Sequence, residues 1–94
     1  MPPVSKRASS AEIATLVEDL YDHRKRRTAR RKLVSAAAVD ELIDCLDSTS
    51  ESVVWSAIRS LGELRATAAV RPLIRVLERD VLVLDVCEAL AAIT

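Results

Sequence analysis

The chain has no phenylalanine, one tryptophan, one tyrosine, one glycine and three prolines. All-β folds draw more heavily on turn formers and aromatics, so this shortage predicts helices. Cysteine is scarce too: Cys45 and Cys87 lie far apart with no CxxC spacing, and His23 is the only histidine. Such a set builds neither a disulfide scaffold nor a zinc site, and both cysteines read as small core hydrophobes. The opening MPPVSKRASS lacks the apolar stretch of a secretion signal, and no apolar run reaches the ~18 residues of a membrane span. The expectation is a cytoplasmic, reduced protein with no membrane association.

Half of the 94 residues are apolar and 30% are charged, the balance of one small globular domain. The formal net charge is zero, but it is unevenly spread. Residues 1–32 hold nine Lys/Arg against four Asp/Glu, and residues 33–94 hold five against ten. A split of this kind points to an acidic partner for one end, or to contact between copies.

One pattern recurs three times along the chain. Ile13, Leu16, Val17 and Leu20 form a stripe at i, i+3, i+4, i+7; so do Val39, Leu42, Ile43 and Leu46, and then Val70, Leu73, Ile74 and Leu77. This spacing places four apolar side chains on one helix face. Each stripe is followed by a small or apolar residue with Leu four later: Ala29 and Leu33, Ala57 and Leu61, Val86 and Leu90. Each unit is therefore predicted to be a helix, a turn and a second helix. The predicted helices run over 10–22, 24–36, 38–47, 51–65, 68–79 and 81–93. Residues 1–9 are read as a flexible tail before a single domain over 10–94, with units near 10–36, 37–65 and 67–94.

Ser9 with Glu12, and Ser48 with Glu51, have the spacing of capping boxes at helix starts. Pro72 is tolerated if its helix begins only a few residues earlier, where backbone N–H groups have no intrahelical partner. VLVL at 81–84 reads as the buried start of the last helix, because no second strand candidate exists to pair with it. Leu42, Ile43, Leu46, Ala57, Leu61, Leu73, Ile74 and Leu77 form the predicted core.

The segment VVWSAIRSLGELRATAAVRPLIRVLERD resembles the HEAT-like repeats associated with phycobilisome lyase subunits. Leu61-Gly62-Glu63-Leu64 stands where that family closes its second helix, and Ala69-Val70-Arg71-Pro72-Leu73-Ile74 where it opens the next unit. The resemblance is sharp over residues 53–78. Val34 and Ala91 replace the glycine in the outer units, and divergent terminal units are a feature of repeat arrays. The family implies an all-α solenoid of three stacked antiparallel helix pairs, ARM/HEAT-like in its superhelix. On this architecture the residues read as a non-catalytic module that binds or scaffolds other proteins. No lyase chemistry, cofactor, metal or small-molecule substrate is expected from these residues.

Two surfaces stand out. HRKRRTARRK at 23–32 carries seven Lys or Arg in ten positions, Arg24, Arg26, Arg27, Arg30 and Arg31 among them. In repeat register Arg26 and Arg30 occupy slots that are apolar in the other units, as the uncovered side of a first unit would allow. Their uniform positive sign additionally suits an acidic protein segment or a phosphate backbone. No aromatic residue interleaves the arginines in sequence, which weakens a nucleic-acid reading. That reading, an accessory protein binding nucleic acid through the Arg-rich helix, is the alternative to the protein-binding module. The second surface is VLVLDVCEALAAIT, apolar on nearly every face, where Leu82 and Val83 are expected to meet a protein partner or a second copy. Trp55 is a further candidate anchor.

Overall fold

Six α-helices with short connections make up the computed structural model, which describes residues 10–94. They are α1 (Ser10–Asp19), α2 (Arg26–Ser35), α3 (Val39–Cys45), α4 (Glu51–Glu63), α5 (Val70–Glu78) and α6 (Val83–Ile93), with a 3-10 turn at Thr67–Ala69 leading into α5. The described residues contain no strand. Each predicted helix is present, trimmed at one or both ends. The tail over 1–9 and the capping role of Ser9 lie outside the described residues.

Helices pair within units, α1 on α2, α3 on α4 and α5 on α6, and pack between units as α1 on α3, α2 on α4 and α4 on α6. The result is a two-row stack, an α-solenoid with α4 at its centre. Its seam is a continuous core in which Leu20, Leu33, Leu42, Leu46, Ile58, Leu61 and Leu73 are buried. Each such side chain stabilises the fold by about 1.5–3 kcal/mol relative to exposure. Ser56 and Ser60 are buried as well, their hydroxyls donating to the carbonyls of Ser52 and Ser56 at 2.9 and 2.7 Å. Satisfied this way, they let a neighbouring helix approach without leaving a buried polar group unpaired.

Three core expectations need correction. Ile43 and Leu77 are half-buried, and Ile74 is 45% exposed. Val17, Ile43 and Ile74 hold the same place in the three units. The first two are partly covered, Ile43 sharing a hollow with Pro72 and Val76 of α5. Ile74 belongs to the last described unit, and no further helix there lies over it.

Helix ends show how little glycine the fold uses. Gly62 serves close packing, since a Cβ at that position would lie 3.2 Å from Ala89 Cα of α6. The turns instead place non-glycine residues at positive φ: Ala37 and Arg65 at 51°, Asp80 at 57° and Leu82 at 49°. Ala37 and Arg65 close α2 and α4 identically. Ala38 N–H donates to the Leu33 carbonyl and Ala66 N–H to the Leu61 carbonyl, each at 3.1 Å, which is the Schellman arrangement. At the start of α4 the expected capping serine is displaced by two residues. Ser50 is the cap, its hydroxyl accepting from Val53 N–H at 3.4 Å. Ser48 instead accepts from Ser50 N–H at 3.0 Å and hydrogen-bonds the Tyr21 hydroxyl at 2.9 Å, tying the first unit to the second. Pro72 sits in the first turn of α5, where it removes no helical hydrogen bond.

Candidate interaction surfaces

The basic run folds partly into the loop before α2 and partly into α2 itself, and its arginines divide into two sets. Arg26 and Arg30 are half-buried and turned toward neighbouring elements. Arg26 donates through Nε to the Leu20 carbonyl at 2.7 Å, capping the chain just beyond α1. Arg30 pairs with the Glu63 carboxylate at 2.5 Å, and its guanidinium lies 5.8 Å from the centre of the Trp55 ring. Arg24, Arg27 and Arg31 are exposed, and their side chains make no hydrogen bond or ion pair with another described residue. The five arginines thus divide into a held pair, Arg26 and Arg30, and an exposed set.

A recess of about 370 Å³ opens between α2 and α4, lined by His23, Arg26, Arg27, Arg30 and Trp55. Arg59 of α4 also stands against the indole, 5.5 Å from the ring centre. An aromatic side chain does therefore lie among the arginines, brought there by the neighbouring helix rather than by the local sequence. A signal for it existed. Trp55 and Arg27 hold the same place in successive units, and such residues are neighbours in a stack.

At the other end, Val83 is 39% and Leu84 78% exposed, and Cys87 and Ala91 are exposed beside them. This overturns the buried start expected for α6. The helix begins at Val83 behind Leu82, whose backbone is left-handed and which makes no side-chain cap. Leu82 itself is half-buried against the core, so Leu84 and Ile74 join Val83 on the exposed face in its place. Trp55 takes no part in this patch. Cys87 is likewise not the core residue expected of it, whereas Cys45 is buried. Burial, together with the charges of Asp44 and Glu41, pushes the Cys45 thiol up to about 11.

Among the described residues no group of three or more His, Cys, Asp or Glu side chains could hold a metal ion, and no helix is long and apolar enough to cross a membrane. No curated protein and no solved structure gave a significant match to the chain. Residues 53–79 match the family of PBS lyase HEAT-like repeats. That span covers α4, the turn and α5, including Gly62 at its contact with Ala89 and Pro72 in the first turn of α5. The described residues form an all-helical stack whose central part matches the PBS lyase HEAT-like repeats.

Proposed function

We propose that the protein is a non-catalytic interaction module whose principal contact surface is the apolar end formed by α6 and the adjoining side of α5. HEAT-like repeats suggest a protein-interaction or scaffold role in general. The observation that carries the specific reading is the wet apolar face of Ile74, Val83, Leu84 and Cys87. Their counterparts one unit earlier, Ile43, Val54, Trp55 and Ile58, are half-buried or buried.

A second copy is the occupant we assign to this face. Head-to-tail stacking would place Lys32 where Ala89 meets Gly62 inside the molecule, and a lysine does not fit that contact. Two apolar ends meeting about a two-fold axis bring no such clash, and paired identical patches are the commonest oligomeric arrangement. Light scattering across concentration tests this. The wild-type mass should rise toward that of a dimer, and Val83→Asp with Leu84→Asp should hold it at the monomer. A strictly monomeric wild type would remove self-association. Nucleic-acid binding has less support, because Arg26 and Arg30 are engaged internally.

A further inference from the structure

The recess between α2 and α4 lies apart from the apolar end and has its own chemistry. Three guanidiniums and His23 converge there on the wall made by Trp55. Arg27 has its entire donor fork unused. Arg26 spends Nε on the Leu20 carbonyl, which fixes its position and leaves its terminal nitrogens available. The start of α2 adds to this field. Lys25 precedes the helix without a side-chain cap, and the first turn holds no acidic residue. The Asp22 carboxylate, which accepts from Arg24 N–H at 2.9 Å, is the acidic group just before this helix start, and arginines stand on its positive end, the unfavourable sign for that position. An anion in the recess would relieve the repulsion among these cations.

Glu63 indicates what kind of anion. Its carboxylate reaches from α4 to Arg30 and is itself 48% exposed. It holds one guanidinium in place while leaving most of the recess unfilled, so it acts as an internal stand-in that a stronger acceptor can displace. A phosphate monoester is that acceptor. It carries about −1.5 to −2 charge and three strong acceptor oxygens, enough to take donors from several arginines at once. We infer that the recess binds a phosphorylated side chain on a segment of a partner protein, displacing Glu63 from Arg30. This rests on the interaction-module reading but uses a different face of the molecule.

A nucleic-acid strand suits the site less well. Arg30 and Arg59 both stand against the Trp55 ring, competing with a base for its faces. A continuous track is also missing: α6, at the far end of the same row of helices, carries Asp85 and Glu88 and no basic residue. The field is attractive at one point and repulsive farther along, which selects a single anionic group over a long polyanion.

Trp55 is the only tryptophan of the chain, so its fluorescence reports on the recess directly. The probes are a capped phosphoserine, the matching capped glutamate and a short oligothymidine. Phosphoserine should give a saturating change at concentrations where glutamate gives none. Arg27→Ala should weaken it about tenfold, as expected for losing one charge-assisted fork. Arg24→Ala, outside the recess, should leave it unchanged. Glu63→Gln should tighten binding by roughly threefold, since a competing exposed ion pair is removed. Equal responses to phosphoserine and glutamate, no saturation, or identical losses in Arg24→Ala and Arg27→Ala would overturn the assignment. Preferential binding of oligothymidine, with Glu63→Gln indifferent, would also overturn it in favour of nucleic acid. None of these outcomes bears on the dimer, which Arg27→Ala should leave intact by light scattering.

Discussion

The two ends of the stack are built on one pattern and finished in opposite ways. On α2 the flank turned away from α4 carries Thr28, Arg31, Lys32 and Ser35, all exposed and all polar. On α6 the flank turned away from α4 carries Val83, Leu84, Cys87 and Ala91, all exposed and none charged. A repeat unit has two sides that want neighbours, and the polar substitutions on α2 serve as a cap where no unit precedes it in the described stack. No corresponding substitution appears on α6. The difference shows that helix hairpins built on one pattern present a polar end or an apolar end through about four side chains each.

Hollowing the seam that both ends share has the largest expected effect. Leu61→Ala or Leu73→Ala removes a fully buried side chain and should cost about 2–5 kcal/mol in urea unfolding. Against a typical total of about 5–15 kcal/mol that is a severe loss. Leu84→Ala, at the bare end, should change stability by less than about 0.5 kcal/mol. The two cysteines make the same contrast chemically. With Cys45 raised from 9.0 to about 11, its thiolate is depleted by two pH units' worth, and burial hinders access further. Thiol labelling near neutrality should modify Cys87 promptly and Cys45 about a hundredfold more slowly. The Cys45 rate should keep climbing as the pH approaches its raised value.

Gly62 and Ala91 are equivalent positions, one inside the stack and one on its end. Gly62→Val drives a side chain into Ala89 and should destabilise by about 1–3 kcal/mol, whereas Ala91→Val should be close to neutral. One further effect is a gain. Ala37→Gly and Arg65→Gly relieve left-handed backbone at the ends of α2 and α4, and each should raise unfolding free energy by about 1 kcal/mol. Stability unchanged in both variants would show these turns to be relaxed.

Much of this was legible in the residues. The three stripes and their Leu partners identify six helices and the central seam, because a 3.6-residue period is a property of the chain itself. Pro72 was placed correctly for the same reason, since its cost depends only on its distance from the helix start. What the sequence obscured depends on neighbours. Ile74 has the pattern of Ile43 but not its cover, and Cys87 the register of Ile58 but not its burial. Ser48 has the spacing of a capping box, but the turn preceding α4 uses Ser50 as the cap and Ser48 as a brace to Tyr21. Repeat register sets Arg26 and Arg30 apart from the other arginines, but their braces, the Leu20 carbonyl for one and Glu63 and Trp55 for the other, come from neighbouring elements.

The last described unit leaves a wet apolar face whose side chains lie outside the buried core. Urea unfolding of the triple variant Ile74→Glu, Val83→Glu, Leu84→Glu tests it most directly, at a concentration where the wild type is monomeric. The transition should stay cooperative and lie within about 1.5 kcal/mol of the wild type, about 0.5 kcal/mol for each surface substitution. Loss of the folded baseline, or a cost comparable to that of Leu73→Ala, would show that these side chains belong to the core and that the bare end does not exist.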